Sequence, residues 1–524
     1  MSQKRVGSLV PVDVMAETGH PASSRFPPAP DSVLLCSAVS RGIVGACLYG
    51  AVIGPDRSWK AMMVMLAAHS ANGDGVRHPL DAYMRGTAAL AREFAEDFGA
   101  GDLAAYLGLV HDVGKADCAW QERLAAVEAA GGRVGIDHKM AGTWLASRPA
   151  GVFAAAVNGH HGGLPARAAL KNELRAADAG RQAAWVEAIE RVAAVAPEVI
   201  PAAPLQLPSW FIGENPRDPL VMDLLVRIVF SALVDADFLD TEAHFRGPAR
   251  PRGCLAAGDL ADRYERQRAA LLAGAVPSPA EGLRQEVYSQ AVAAAAGPPG
   301  MYRLPATTGS GKTLAAGGFA VHHARAHELR RVVVAVPFIS ITEQNADVYR
   351  QLDQSEEPPV VLEHHSGVDL DDRASGDGAA RWWRRLASEN WDAPFVVTTT
   401  VQLFQSLSDH RPAAMRKLHR LARSVIVLDE VQALPDRLLL PILSALRALA
   451  ECFGTTVLLA SATQPSYWKL GPFRGLPVTD VIADPGSPAR PVTGRLAGRA
   501  IPAAKLTNDP ATTRRPVTRI GTGS

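Results

Sequence analysis

Cysteines are few in this sequence, and no two of them have the spacing of a metal-binding pair. Five are scattered over 524 residues without a Cys-x-x-Cys motif. This argues against a disulfide framework and against a zinc knuckle, and it indicates a reducing compartment. We therefore predict a cytoplasmic protein. The cysteines are Cys36, Cys47, Cys118, Cys254 and Cys452.

An excess of charge of one sign is also missing. Lys and Arg number 54 and Asp and Glu number 53, for a formal net charge of +1. Such a balance does not indicate a general nucleic-acid binder, so any surface of that kind must be local. With 48% hydrophobic and 20% charged residues, the composition is that of an ordinary globular protein. The length predicts two to four domains.

A convincing membrane span is missing as well. Residues 32–54 approach the required length, but Arg41 lies mid-run and the stretch is rich in Gly, Ala and Ser rather than Leu. A charge at the centre of a span costs about 2.5–3.5 kcal/mol on insertion scales. The stretch also begins too far from Lys4 and Arg5 to be a secretory signal. We predict no membrane partner, and an N-terminal extension over 1–56 that is partly disordered.

Apolar periodicity divides the rest of the chain in two. Over 57–245, segments such as "MRGTAALAREFAEDFG" repeat apolar residues every three or four positions, which predicts helices throughout and no strands. Over 281–480, β-branched runs such as "SVIVLDE" alternate with helix-like segments, a pattern typical of buried parallel strands. Pro-rich composition marks 246–280 as a linker and 481–524 as an irregular tail. The predicted fold is therefore multidomain, with an all-α domain followed by an α/β domain.

A phosphate-binding motif opens the α/β domain. In "LPATTGSGKTLAA" (304–316) a glycine turn lets backbone N–H groups converge on phosphate oxygens at a helix N-terminus. Lys312 would reach the β- and γ-phosphates, and the Thr313 hydroxyl would hold Mg²⁺. Ala306 stands where the strict motif has its first glycine. The residues predicted to bind ATP in this region are Thr308, Gly309, Ser310, Gly311, Lys312 and Thr313, with Gln285 upstream.

Two further motifs follow at the ends of predicted strands. "VIVLDEVQALP" (425–435) ends an apolar strand in two carboxylates, of which Asp429 can bind Mg²⁺ through water. Glu430 can orient and deprotonate the attacking water. "SAT" (461–463) ends the next strand with hydroxyls that could link the nucleotide state to the rest of the molecule. Because ligands bind at the carboxyl ends of strands in open α/β sheets, these motifs predict one nucleotide site.

These motifs, with "AVPFISITEQ" (335–344) and "VVTTTVQLFQSL" (396–407), resemble the first RecA-like domain of superfamily-two helicases. "DEVQALP", "TTTVQLFQSL" and "SATQP" narrow the resemblance to the DEAD/DEAH-like helicase–nuclease of type I CRISPR systems, which acts in antiviral defence. The resemblance implies single-stranded DNA as substrate, ATP-driven unwinding and an RNA-guided CRISPR surveillance complex as partner. It also implies that Pro337, Ser340, Thr399 and Thr400 grip the DNA backbone without reading bases.

That family carries an HD nuclease domain ahead of its helicase, and "LGLVHDVGKADCAWQ" (107–121) supplies the His-Asp pair. Two metal ions about 3.5–4 Å apart can activate water and steady both oxygens of a phosphodiester. By resemblance Asp112 bridges the ions, Lys115 faces the scissile phosphate, and Asp237 closes the first site, with Asp235 nearby in "LVDADFLDTE". Imidazole-rich sites favour Mn, Fe, Co or Ni over Mg. The ligands so implied are His111, Asp112, His138, His160, His161 and Asp237.

One position departs from the family pattern. Tyr83 stands where the pattern has its first histidine, with His78 five residues earlier and His69 earlier still. Tyrosine is an uncommon ligand for such a site. Either His78 acts as the metal ligand instead, or nuclease activity is reduced.

Two basic segments are further candidates for contact with DNA. "RWWRRLASENW" (381–391) and "MRKLHRLAR" (415–423) combine cations with aromatic or apolar neighbours, as single-strand grooves do. A basic helix face is more often simply solvated, so the loops at the strand ends are the stronger candidates.

A second RecA-like domain has no counterpart in the sequence. About 60 residues follow "SATQP", whereas a domain needs roughly 150. In related enzymes the second domain supplies arginine fingers worth about 10³–10⁵ in turnover. Truncation, a frameshift or a separate polypeptide that carries the second domain would each explain this. We predict weak ATP binding and poor hydrolysis by this chain alone.

The residues leave two other functions open. One is an HD phosphohydrolase that acts on nucleotides, with the P-loop domain as its regulator. The other is an inactive remnant that only binds DNA or the targeting complex. Activity on single-stranded DNA, on small nucleotides or on neither would separate the three.

Overall fold

The computed structural model describes residues 65–212, 218–247, 256–274, 278–337, 347–349, 360–366 and 378–482. All of them fall within one compact unit. The predicted N-terminal extension, the apolar stretch 32–54, Ser340 and nearly all of the predicted tail lie outside the described residues.

The first half is a helical domain. Its described α-helices are α1 (Leu80–Glu96), α2 (Gly101–Val110), α3 (Cys118–Ala130), α4 (Lys139–Ala146), α5 (Ala154–Gly159), α6 (Arg167–Ala176), α7 (Ala179–Ala193), α8 (Ser209–Ile212) and α9 (Pro219–Arg246). Short 3₁₀ turns lie at Val113–Ala116, Gly151–Phe153 and Pro197–Val199. Helix α9 is the central element, because ten consecutive residues from Ile228 to Asp237 are buried on every face. A helix that is enclosed all round belongs to the core of a larger assembly.

The prediction of helices throughout this domain was wrong at one place. Strands β1 (Ala67–His69) and β2 (His78–Pro79) form an antiparallel pair. The turn between them is held by Asn72, whose Oδ1 accepts from the backbone N–H of Val76 at 3.1 Å. Strands of three and two residues are too short to show an alternating pattern, which is why periodicity missed them.

The second half is a seven-stranded sheet in which every described pairing is parallel, in the order β5-β6-β4-β7-β8-β3-β9. Its strands are β3 (Met301–Pro305), β4 (Arg331–Val336), β5 (Val361–His364), β6 (Phe395–Thr399), β7 (Ser424–Leu428), β8 (Thr456–Ser461) and β9 (Val478–Asp480). Strands β4, β6, β7 and β8 are buried along their whole length. Parallel strands covered on both faces are apolar throughout, as the sequence predicted. The predicted fold class is confirmed.

Helices surround this sheet. Those described are α10 (Ala257–Ala273), α11 (Glu281–Ala294), α12 (Lys312–Ala326), α13 (Gly378–Asn390), α14 (Thr400–Ser408), α15 (Pro412–Met415) and α16 (Leu439–Cys452). Helix α10 lies within the range predicted as a linker, and its Leu260, Ala261 and Tyr264 are buried in the core of the α/β domain. The hydroxyl of Tyr264 donates to Leu314 O at 2.6 Å. The linker prediction rested on the Pro-rich ends of this range and did not take account of the apolar stripe between them.

The two domains share an interface along α9. Leu164 N donates to His410 O at 2.9 Å, and Arg227 donates to Asp409 O at 2.7 Å. Ser231 Oγ lies 3.0 Å from His419 Nδ1. The basic segment 415–423 belongs to this interface, and its Arg416 is buried. Its side chains therefore serve domain packing, which excludes it as an open DNA-binding surface.

Among the described helices, none combines the length and the hydropathy that a membrane-spanning helix requires. The longest, α9, carries charged residues along its course and packs between the domains.

Candidate metal centre and nucleotide site

The His-Asp pair lies where α2 ends. His111 caps the helix, and Asp112 precedes the 3₁₀ turn that carries Lys115. Two glycines let a second segment pack directly on this turn. A Cβ at Gly114 would lie 2.1 Å from His138 O, and one at Gly142 would lie 2.0 Å from Val110 O. These glycines therefore allow the backbone that carries His138 to reach the side of Asp112.

Three predicted histidine ligands lie close to Asp112. His138 Nε2 lies 3.4 Å and His160 Nε2 3.3 Å from Oδ1. His161 Nε2 lies 2.9 Å from His138 Nε2. The possible ligand atoms of these four residues all lie within 4.8 Å of one another. Asp112 and His160 are buried and His161 is exposed, so the group opens to solvent on one side.

Backbone carbonyls fix the orientation of two of these imidazoles. Nδ1 of His160 donates to Val157 O at 2.6 Å, and Nδ1 of His138 donates to Ile136 O at 3.2 Å. Because a carbonyl oxygen can only accept, each Nδ1 holds a proton and each ring turns its Nε2 towards Asp112. This is the arrangement by which proteins orient metal-binding histidines.

Unsatisfied buried atoms make the group suitable for a cation. Asp112 Oδ1 and His160 Nε2 are buried and have no hydrogen-bond partner, whereas Asp112 Oδ2 lies beside the Lys115 ammonium. Lone pairs that face a carboxylate at about 3.3 Å repel it unless a positive charge lies between them. A divalent ion would satisfy all of these atoms at once. The residues present therefore fit a metal ion.

Charge also favours metal binding here. Burial opposes ionisation of Asp112, but the Lys115 ammonium and the neighbouring imidazoles outweigh it and hold the pKa of Asp112 well below its usual range. Burial lowers the pKa of His138. The carboxylate is thus ionised and the His138 ring neutral near pH 7, which are the forms that bind metal.

A second group lies on the buried side of Asp112. His111, His160 and Asp237 could also hold an ion, and all three are buried. Tyr83 contacts this group: its hydroxyl donates to Asp237 and lies 2.9 Å from His111 Nε2. Burial and the Asp237 charge raise the pKa of Tyr83 well above its usual range. Tyr83 thus remains a neutral phenol.

Lys115 lies at the mouth of the site. Its Nζ is 2.8 Å from Asp112 Oδ2 and 4.8 Å from the centre of the Tyr83 ring. A cleft of about 580 Å³ opens beside it and is bordered by residues that include Lys115, His138, His161, Trp120 and Phe245. A substrate in this cleft would reach the Asp112 group from its exposed side.

Two residues considered as ligands lie elsewhere. Within the described ranges His78 belongs to neither group, and its Nε2 lies 3.6 Å from Asp240 Oδ2. Its ring stacks on His244 at 4.5 Å. Asp235 faces the opposite side of α9 from Asp237 and pairs with Arg416 of the α/β domain. Neither His244 nor Asp240 was named from the sequence, and no motif there points to either of them.

The phosphate-binding motif forms a loop between β3 and α12. Gly309 and Gly311 have φ of 85° and 80°, a left-handed backbone that favours glycine. Ser310 Oγ donates to Thr307 O at 2.6 Å. Lys312 is buried and lies 3.0 Å from Asp429 Oδ1, at the end of β7. The two motifs that were 117 residues apart in sequence are therefore neighbours.

A chain of polar contacts links this lysine to the "SAT" motif. Lys312 Nζ donates to Glu430, and Gln432 Nε2 donates to the other oxygen of that carboxylate at 2.5 Å. Ser461 Oγ lies 2.5 Å from Gln432 Oε1. Gln432 was not named as functional from the sequence, although it follows the two carboxylates within the same motif. These polar contacts connect the "SAT" motif directly to the phosphate-binding loop.

The remaining residues predicted to bind ATP lie on the loop, in the first turn of α12 and on α11. Thr308 is exposed on the loop, and Thr313 lies in the first turn of α12. Gln285 is exposed, and its amide contacts Arg268 and Ser289. Its neighbour Arg284 reaches the loop instead, where its Nε donates to Gly309 O at 3.1 Å.

The residues predicted to grip DNA lie at the same edge of the sheet as the nucleotide loop. Pro337 follows β4, Thr399 ends β6, and Thr400 begins α14. Thr399 Oγ1 accepts from Gln402 N at 3.1 Å and so caps that helix. Both threonines are largely buried. Ser340 lies outside the described residues.

Comparison with known families gives a match to each half of the chain. The model "Cas3, HD domain" matches residues 58–228, and the model "DEAD/DEAH box helicase" matches residues 288–469. A Cas3 HD domain model and a DEAD/DEAH box helicase model thus match consecutive parts of the chain. The resemblance to CRISPR-associated helicase–nucleases that the motifs indicated is thereby confirmed at the level of its domains.

Individual relatives agree with this. The CRISPR-associated nuclease/helicase Cas3 of Haloferax volcanii is 32% identical over 147 residues, which are 26% of this chain and 16% of that protein. The crystal structure of T. fusca Cas3 has a TM-score of 0.52 at 20% identity and covers 76% of this chain and 50% of its own. Its ATP form has a TM-score of 0.51 at 20% identity, covering 76% and 49%. At 20% sequence identity, the similarity to these two structures shows a shared fold alone.

The chain spans only part of these relatives. It matches about half the length of the T. fusca chain and 16% of the Haloferax volcanii protein. The activity, substrates and partners of the whole proteins are therefore matters of proposal for this chain.

Proposed function

We propose that this chain is a metal-dependent endonuclease that cleaves single-stranded DNA at its HD domain. The observation that carries the proposal is the convergence of two carbonyl-oriented imidazoles, His138 and His160, on the buried carboxylate of Asp112. Such an arrangement is costly without a cation between the groups and is typical of hydrolytic metal sites.

The residues would divide the work as follows. Asp112, His138, His160 and His161 would hold the metal, which when bound supplies an activated water and a Lewis acid. Lys115, at the mouth of the site, would neutralise a non-bridging oxygen of the scissile phosphate. His161 and the cleft leave one side of the group open to a phosphodiester backbone.

The proposed preference for single-stranded DNA rests on the lining of the cleft beside Lys115. The cleft is bordered by both hydrophobic side chains, such as Trp120 and Phe245, and the ligand histidines. A phosphate held at the Asp112 group would bring its neighbouring nucleotides to these walls. Hydrophobic walls suit unstacked bases. The expected metals are Mn, Fe, Co or Ni.

The helicase domain would bind ATP with Mg²⁺ and use it for unwinding. Lys312 would exchange its pairing with Asp429 and Glu430 for the β- and γ-phosphates, leaving the two acidic groups to bind Mg²⁺ and to orient water. Pro337, Thr399 and Thr400 border the same sheet edge and would hold the DNA backbone. A complete motor needs a second RecA-like domain, which a separate polypeptide would supply if this chain does not.

An RNA-guided CRISPR surveillance complex is the proposed partner, and antiviral defence in the cytoplasm the proposed setting. The support is the pairing of a Cas3 HD domain with a helicase domain in one chain and a relative named as a CRISPR-associated nuclease/helicase.

Replacing Lys312 with alanine should abolish ATP binding while leaving metal-dependent cleavage of single-stranded DNA unchanged. The reason is that Lys312 lies in the nucleotide loop, whereas the Asp112 group belongs to the helical domain. Equilibrium binding of a fluorescent ATP analogue, beside a nuclease assay, measures both effects. Loss of cleavage in a folded Lys312→Ala protein would show that the nuclease depends on nucleotide binding.

The experiment that tests the proposed function compares substrates under controlled metal supply. The full chain is stripped with chelator and then incubated with Mn²⁺ or Ni²⁺ and single-stranded DNA, double-stranded DNA or nucleoside triphosphates and monophosphates. We expect metal-restored cleavage of the single strand far above that of the duplex. Hydrolysis of small nucleotides alone would favour the phosphohydrolase alternative, and inactivity towards every substrate with every metal would favour the inactive remnant.

A further inference from the structure

We propose that the HD site holds one metal ion rather than two, because the hydroxyl of Tyr83 fills the place of the second. The single ion would lie in the group of Asp112, His138, His160 and His161. This inference rests on the proposed function and corrects the two-ion site that the family resemblance implied. It concerns the number of ions, so it can fail while the proposed function stands.

Tyr83 already contacts two of the atoms that would bind a second ion. Its hydroxyl donates to Asp237, and its oxygen lies 2.9 Å from His111 Nε2. The Tyr83 ring is almost fully buried, in edge contact with His111 at 5.2 Å between ring centres. A rigid core side chain of this size cannot move aside without opening a cavity.

The two carboxylate oxygens of Asp112 also differ in their surroundings. A bridging carboxylate gives one oxygen to each ion, and Oδ1 faces His138 and His160 without a hydrogen bond. Oδ2 instead lies 2.8 Å from the Lys115 ammonium. The side on which a second ion would bind thus already carries a positive charge.

Access to solvent separates the two groups further. The group of His111, His160 and Asp237 is buried at every member, whereas the other group has its exposed side at His161. An ion exchanging with water, and a phosphate arriving from the cleft, would meet only the open group. Lys115 would then supply the second positive charge that an ion provides in a two-metal site, so that a single ion suffices for cleavage.

The test counts ions in the full chain and in variants of Tyr83. Apo protein is titrated with Mn²⁺ alone, and bound manganese is measured by elemental analysis and by electron paramagnetic resonance. Wild type should bind one equivalent with the hyperfine pattern of an isolated ion. Tyr83→His replaces the phenol by a ligand and should bind two equivalents, with a signal broadened by coupling between neighbouring ions.

A second variant keeps the test informative if Tyr83→His does not fold. Tyr83→Phe keeps the ring but removes the hydroxyl, so manganese uptake at saturation should rise above one equivalent. Tyr302→Phe is the matched control, because it removes a buried-ring hydroxyl that donates to Pro298 O in the helicase domain. It should stay at one equivalent.

Each outcome decides the inference. Two equivalents in wild type would overturn it, and so would one equivalent in every Tyr83 variant that folds. Wild type that binds two ions and cleaves DNA would defeat this inference alone. Wild type that binds no manganese at all would defeat the proposed function as well.

Discussion

Substituting Asp112 with alanine should remove the bound metal and, with it, the cleavage of single-stranded DNA. Asp112 is the carboxylate on which His138 and His160 converge, so its loss leaves imidazoles alone to hold the ion. Changes to groups that merely orient metal ligands already cost about 10–100-fold in affinity or activity. Loss of the ligand itself should therefore exceed about 10²-fold, measured as the initial rate at saturating Mn²⁺.

The matched control is Asp74→Ala, which removes an exposed carboxylate from the turn between β1 and β2. It should bind metal and cleave DNA as wild type does. Because removing the buried Asp112 carboxylate can itself change the stability of the protein, circular dichroism must show that both variants are folded. A folded Asp112→Ala protein that retains metal and cleavage would contradict the assignment of the site.

Substituting Arg416 with alanine should produce the largest loss of stability among single changes at the interface between the domains. Its Nε donates to Asp235 Oδ1 at 3.0 Å, and its NH1 donates to Glu389 at 3.0 Å. The Asp235 side chain is 0% exposed and that of Arg416 only 5%. Without Arg416 the buried Asp235 carboxylate loses its closest cation and keeps Asn390 Nδ2 at 3.0 Å and Arg420 NH2 at 3.7 Å. Breaking a buried ion pair costs about 3–5 kcal/mol, and these remaining contacts place the loss at the lower end.

Chemical denaturation of the full chain, followed by tryptophan fluorescence, measures this loss as a lower midpoint. The control is Arg92→Ala, which breaks a half-exposed pair with Asp102 and should cost less than about 1 kcal/mol. The double variant Asp235→Asn with Arg416→Gln should lose less than the sum of its single changes, since no charge is left alone. An unchanged midpoint in Arg416→Ala would mean that the domains do not pack through this pair.

The features that could be predicted from the sequence are local ones. The glycine turn before Lys312 and the carboxylates after β7 each lie within a few residues of a strand end, and parallel strands bring such ends to one edge. The His-Asp pair was likewise recognisable because α2 ends at it. For such motifs short-range chemistry and strand order are sufficient.

What escaped prediction depends on contacts between distant residues. The family pattern brought Tyr83 and Asp237, 154 residues apart, to one site, but it gave no sign that the tyrosine hydroxyl donates to the carboxylate. The segment 415–423 has the composition of a DNA-binding face, yet its Arg416 pairs with Asp235 of the other domain. Charge patterns show what a side chain can bind but not which partner the fold brings to it.

The most direct test of the metal centre is a crystal of the full chain soaked in Mn²⁺ and measured for anomalous scattering. The account predicts a peak within about 2.0–2.3 Å of Asp112 Oδ1 and of the His138 and His160 Nε2 atoms, the range of metal–ligand bonds. A well-diffracting crystal in which manganese binds elsewhere, or does not bind beside Asp112, would contradict it.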